Sequence, residues 1–145
     1  MSVLGSMWGR VSAWYDGCPW WRRWVPVAAW MAVIFVLSAQ PKLPSPPSPF
    51  WSDILEKGGH ALEYAVLAGL IWLGLGRRWP VLAWGLAVAY GISDEFHQSF
   101  VPGRHPDPMD VLFDATGAAL AALLLWWGRS RRRGSPQAGR HDGAR

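Results

Sequence analysis

Four stretches of this chain are nearly free of charge, and they constrain what it can fold into more than any other feature. They are WVPVAAWMAVIFVLSA (residues 24–39), ALEYAVLAGLIWLGLG (61–76), VLAWGLAVAYGIS (81–93) and ATGAALAALLLWWG (115–128). A helix that crosses a bilayer needs about 20 residues, with roughly 17 as the lower end. None of the uncharged stretches reaches that length alone. Each does once its flanks are added: Trp20 or Trp21 for the first, residues 57–60 for the second, 94–96 for the third and 109–114 for the fourth. A soluble bundle would show a polar face on every helix, and residues 67–76 and 117–128 show none. The expected fold class is therefore all-α, an integral membrane bundle of four transmembrane helices.

The flanks support this reading and orient it. Of twelve tryptophans, Trp20, Trp21 and Trp24 sit at one boundary, Trp79 at another, and Trp126 and Trp127 at a third. Tryptophan at span ends marks a bilayer interface. Arg10, Arg22, Arg23, Arg77, Arg78 and the arginines from Arg129 onward flank one side, whereas Lys42, Lys57 and Arg104 fall on the other. The positive-inside rule then puts both termini in the cytoplasm. Three parts follow: a cytoplasmic segment over residues 1–23, a membrane domain over 24–128, and a basic, disordered cytoplasmic tail over 129–145. A cleaved signal peptide is the rival for the first span, since Ser38 and Ala39 are small. The long stretch ahead of it and Pro41 behind it favour a retained helix. The loop over residues 40–52 holds five prolines, which forbid a helix and favour an extended spacer.

The lone cysteine, Cys18, excludes an internal disulfide framework, a thiolate zinc cluster and a CxxC redox centre. The formal charge of +4 is explained by a membrane-end anchor. The expected partners are therefore membrane lipids, with no nucleic acid.

Once the inner arginines are set aside, the remaining charge gathers at the outer ends of the second, third and fourth segments. Lys57, His60 and Tyr64 follow at i, i+3 and i+7, with Glu63 beside them; Asp94, His97 and Gln98 follow at i, i+3 and i+4; Asp110, Asp114 and Gly117 at i, i+4 and i+7. Such spacings place each set on one helical face. An ionised group at the centre of a span costs roughly 2.5–3.5 kcal/mol on insertion scales. Glu63 and Asp114 lie about a turn inside, so they should face other helices. Independent solvation suits Asp53, Glu56 and His105 better. Pro102-Gly103 is a turn pair that would fold Arg104 back over the bundle, as partner to Asp107, Asp110 or an anionic ligand.

These residues resemble the VanZ-like family of bacterial multi-pass membrane proteins. EKGGHALEYAVLAGL followed by SDEFHQSFVPGRHPDPMDVLFDATGAALA carries the resemblance. It matches at Lys57, His60, Tyr64, Ser93, Asp94, Glu95, His97, Gln98, Phe100, Pro102, Gly103, Arg104, Asp107, Asp110 and Gly117, with Phe35 and Ser38 also family-like. It departs at Asp114, where the family more often has Asn. The resemblance implies a role in resistance to glycopeptide antibiotics and a place in the cell membrane; it leaves the reaction and any cofactor open.

Two chemistries stay open. One is an outward-facing site that recognises a lipid-linked cell-wall intermediate, a glycopeptide or another anionic envelope molecule. Its ligand-binding candidates are Lys57, Tyr64, Glu95, Gln98, Arg104, Asp107, Asp110 and Asp114. The other is a membrane-embedded enzyme acting on an envelope lipid or precursor, with His60, Glu63, Asp94 and His97 as catalytic candidates. Histidine titrates near working pH, but a clear nucleophile is missing: Ser93 sits beside Asp94 without a strained elbow around it, and Tyr64 is weaker. A metal-assisted version would use His60-x-x-Glu63 and Asp94-x-x-His97, each an imidazole and a carboxylate one turn apart. A transport pathway fits less well, because residues 70–75 and 120–126 offer no polar continuation.

Overall fold

In the computed structural model, which describes residues 17–41, 49–104 and 106–133, proline sets where the helices begin. A 3₁₀ turn over Trp20–Trp24 leads into α1 (Val25–Ser38). Then follow α2 (Pro49–Gly74), α3 (Pro80–Gln98) and α4 (Pro108–Arg133). Three of these helices open on a proline and α1 carries Pro26 at its second position. Proline suits that place because its φ is already helical and its missing N–H has no intrahelical partner there. The described residues are all-helical, without a strand.

Two boundaries correct the sequence reading. The proline-rich loop was expected to run to Ser52, yet α2 already begins at Pro49; its last proline starts a helix instead of preventing one. The disordered tail was expected from Arg129, yet α4 continues to Arg133. Arginine is a good helix former, and the Arg131 guanidinium lies 3.8 Å over the Trp127 ring one turn back. Residues 1–16 and 134–145 lie outside the described residues, as does most of the proline-rich loop.

The closest packing joins α2 to α4. Gly117 makes it possible: a Cβ built there would run into the backbone carbonyl of Ala61. The α2–α3 turn needs left-handed backbone at Gly76 (φ 66°) and Arg77 (φ 62°). Glycine carries this freely and arginine at some cost. The Arg77 carbonyl, turned outward there, accepts a hydrogen bond from the Arg129 guanidinium of α4. The apolar core consists of Val27, Ile34, Tyr64, Leu67, Ala68, Ile71, Trp72, Ala83, Ala87 and Ala118.

The outside is also apolar. Val33, Val36, Leu62, Val81, Leu86, Ile92, Leu112, Leu120, Leu123 and Leu124 are all exposed, as are Trp20, Trp21, Trp79, Trp126 and Trp127. Meanwhile Asp94, Glu95, Gln98, Asp110 and Asp114 are buried. Among the described residues one helical stretch, Pro108–Arg131, is long and apolar enough to cross a membrane. The 14 residues of α1 fall short of the roughly 17 a span requires, and α2 and α3 carry the polar groups that build the candidate site.

Candidate functional site

The α2, α3 and α4 faces that carry the polar residues meet at one end of the bundle, because α2 and α3 run antiparallel and α4 returns beside both. The C-terminal turn of α3 supplies the centre. Asp94 Oδ2 lies 2.7 Å from Ser38 Oγ of α1 and accepts from Gln98 Nε2 at 3.0 Å. Ser38 Oγ is also 2.9 Å from the Ile34 carbonyl, and its one proton serves a single acceptor at a time. The other end of the Gln98 amide accepts from Arg104 Nη1 at 3.2 Å, while Arg104 Nε donates to the Gln40 carbonyl at 3.2 Å. A hydrogen-bonded chain thus runs from the end of α1, through the loop guanidinium, to a carboxylate inside the bundle.

Arg104 therefore does not pair with Asp107 or Asp110 through the contacts it makes here. Asp107 is occupied elsewhere: it caps α4, its Oδ1 accepting from the Met109 N–H at 2.9 Å. Its own N–H donates to Glu95 Oε2 at 3.0 Å. Glu95 in this way ties the α3 end to the α4 start.

A second group centres on His60 of α2. Its Nδ1 is 3.2 Å from Asp114 Oδ1 and its Nε2 is 4.0 Å from Asp110 Oδ2. The shorter approach is close in distance but not aligned as a hydrogen bond. The geometry here depends on two small residues. Ala61, next to His60, meets Gly117, three residues beyond Asp114. Gly91 of α3 leaves room for Asp114 and Tyr64: a Cβ there would lie 3.0 Å from Asp114 Oδ2 and 3.2 Å from the Tyr64 ring.

Between the two groups stands Glu63, half-buried, which interacts electrostatically with His60, Asp114, Asp94 and Arg104. Its backbone carbonyl accepts from the Trp30 indole at 3.0 Å. Tyr64 is wholly enclosed, with no partner for its hydroxyl among the described residues. Lys57 reaches along α4, its ammonium 5.3 Å from the centre of the Phe113 ring.

His97 lies on the α1-facing side of α3 that also carries Asp94, its ring 4.3 Å from that of Phe35 while Asp94 meets Ser38, so the two histidines belong to different groups. Ser93 is exposed and donates to the Tyr90 carbonyl at 2.7 Å; it is not presented to a base. Among the described residues no three or more His, Cys, Asp or Glu side chains are arranged to hold a metal ion. Ser38 and Gln40 are members that residue spacing did not point to. Ser38 carried a signal only through its resemblance, and Gln40 contributes a backbone carbonyl, which leaves none.

No curated protein and no solved structure matches the chain. A family model does, over residues 20–129. That stretch holds α1 to nearly the end of α4, including the Ser38–Asp94–Gln98–Arg104 chain and the His60–Asp114 pair, so the protein belongs to the VanZ/LLP1 family.

Proposed function

We propose that this is a multi-pass protein of the cell membrane whose enclosed polar end recognises the head group of a lipid-linked or other anionic cell-envelope molecule, and so contributes to glycopeptide-type resistance. The observation that carries the reading is the reversal of ordinary burial. Large apolar side chains cover the outside while carboxylates and amides fill the inside at one end. In water such a surface would drive aggregation; in lipid it is the solvated face, and the polar groups must find partners within the bundle. Arg104 is the anchor for an anion in this reading. Two of its N–H groups hold Gln40 and Gln98, and guanidinium has five to offer.

Catalysis is the alternative, and His60 between Asp110 and Asp114 is what favours it, as an imidazole oriented by acids. Ser93 faces away, so such an enzyme would use water, not a serine, as its nucleophile.

The topology is tested with reporters. A fusion after Arg145 is expected to behave as cytoplasmic, and one inserted over residues 44–49 as external; an external C-terminus overturns the arrangement. The anchor is tested by Arg104→Lys, which keeps the charge and loses the fork. Binding of an anionic lipid, or resistance at equal expression, should fall at least about tenfold. If Arg104→Lys and Arg104→Ala both leave it unchanged, Arg104 is only a staple between the loop and α1.

A further inference from the structure

The unmatched polar atoms inside the site are three carboxylate oxygens together with the Tyr64 hydroxyl and one ring nitrogen each of His60 and His97, and the carboxylates carry the negative charge among them. Among the described residues, Asp94 spends Oδ2 on Ser38 and Gln98 and leaves Oδ1 buried without a hydrogen-bond partner. Glu95 spends Oε2 on the Asp107 N–H and leaves Oε1 in the same condition. Asp114 Oδ1 meets only the misaligned His60 nitrogen. These residues are 4%, 7% and 1% exposed, so bulk water does not satisfy them. An ionised carboxylate oxygen can only accept, and leaving a buried one unmet is costly. Among the described residues no neighbouring cation is hydrogen-bonded to these oxygens: the Arg104 contacts are to Gln40 and Gln98, the Lys57 ammonium lies over Phe113, and His60 approaches Asp114 Oδ1 out of line.

We infer that the carboxylate floor of this site takes a cationic hydrogen-bond donor, a primary ammonium carried by the head group of an envelope lipid. The inference rests on the recognition reading above and specifies the chemistry of what is recognised. A second feature fits the same ligand. The Gln98 amide bridges Arg104 and Asp94, so a cation and an anion are held one amide apart. A head group with a phosphate and an ammonium a few bonds apart complements that pair, phosphate towards Arg104 and ammonium towards Asp94 Oδ1 and Glu95 Oε1. A quaternary ammonium carries the charge but no N–H, and a glycerol head group carries hydroxyls but no cation. The orphaned oxygens therefore discriminate among phospholipids that share a phosphate.

The test uses the purified full chain in detergent, titrated with phosphatidylethanolamine, phosphatidylcholine and phosphatidylglycerol of identical acyl chains. Retained lipid is read by native mass spectrometry. Phosphatidylethanolamine should bind at least about tenfold more tightly than phosphatidylcholine, as expected for charge-assisted hydrogen bonds to buried acceptors. Asp94→Asn and Glu95→Gln should each erase the preference. An amide oxygen can still accept the bonds from Ser38, Gln98 or the Asp107 N–H, while its nitrogen replaces the orphaned acceptor with a donor. A melting temperature within a few degrees of the parent confirms the fold, and either variant suffices if the other fails to accumulate. Equal binding of the ethanolamine and choline lipids, or a preference that survives both amide variants, overturns the inference and leaves internal water as the partner of those oxygens. Loss of all three lipids in Arg104→Ala with equal ethanolamine and choline binding in the parent would keep the recognition reading and discard the ammonium. Competition by soluble glycerophosphoethanolamine distinguishes a free head group from one that must arrive on its lipid; an ethanolamine preference supports the inference with either outcome.

Discussion

The two ends of this bundle are held together by different physics. At one end, α2, α3 and α4 pack Leu67, Ile71, Trp72, Ala83, Ala87 and Ala118, and the closing contact is the Arg129 guanidinium on the Arg77 carbonyl. At the other end the same helices bury Asp94, Glu95, Gln98, Asp110 and Asp114. The apolar end tolerates a change of shape as any core does, by loss of dispersion contacts. The polar end tolerates changes of shape poorly and changes of polarity worse, because Ser38, Asp94, Gln98 and Arg104 are joined there by directional hydrogen bonds, as is Glu95 to the Asp107 N–H. A chain that needed only stability would have made both ends alike.

The comparison can be broken at the apolar end first. Leu67 is wholly enclosed, and Leu67→Ala should destabilise the folded protein by about 4 kcal/mol, within the range for enclosed leucines. The loss should appear as a lower melting temperature in micelles, with the lipid preference of the folded fraction intact. Gly117→Ala strikes both ends at once. The added methyl meets the Ala61 backbone, which cannot rotate away, so the cost should be about 3 kcal/mol, at the high end for overpacking. Because His60 and Asp114 flank that contact, lipid binding should fall as well; unchanged binding would mean the α2–α4 spacing does not set the site.

Asp94→Ala sharpens the contrast. It strands the Ser38 hydroxyl and the Gln98 amide, at a cost of about 2 kcal/mol for unsatisfied buried groups. Asp94→Asn should recover most of that stability without recovering the ethanolamine preference. If the two variants melt alike, the polar end is held by packing after all. The smallest effect belongs to Arg131→Ala on the exposed far rim. Loss of its contact with Trp127 should cost about 0.5 kcal/mol, and anionic vesicles should bind the variant slightly less.

How much of this could be read from the residues depends on the kind of contact. Periodicity found α2, α3 and α4 and put His60, Asp94, Asp110 and Asp114 on inward faces, because helical spacing converts directly into a face. Of the partners it offered Arg104, the structure shows no contact to Asp107, and an anionic ligand remains a proposal. Asp107 was committed to capping α4 by its position just before Pro108, and the guanidinium turned to an amide and a backbone carbonyl instead. Ser93 adjoins Asp94 in sequence, yet adjacent residues in a helix point about 100° apart, and it is exposed and bonded to the Tyr90 carbonyl. The helical start at Pro49 and the extension to Arg133 were missed because composition was read where position and propensity decide.

The contact between Gly117 and Ala61 has a mechanical consequence. Where two backbones touch, neither helix can slide along the other without a clash between main chains, which have no rotamers to relieve it. The α2–α4 pair is then a fixed frame, and the His60–Asp114 spacing is a property of that frame. If the polar end admits a molecule as proposed, other parts than this pair must move. Only Val27, Ile34 and Ser38 of α1 are buried, and it is tied down by Ser38 on Asp94, Phe35 on His97, the Trp30 indole on the Glu63 carbonyl, the Tyr90 hydroxyl on the Met31 carbonyl and, just past its end, Arg104 on the Gln40 carbonyl. In the language of hinges, α2 and α4 would then be the jamb, α1 the door, and Arg104 its latch.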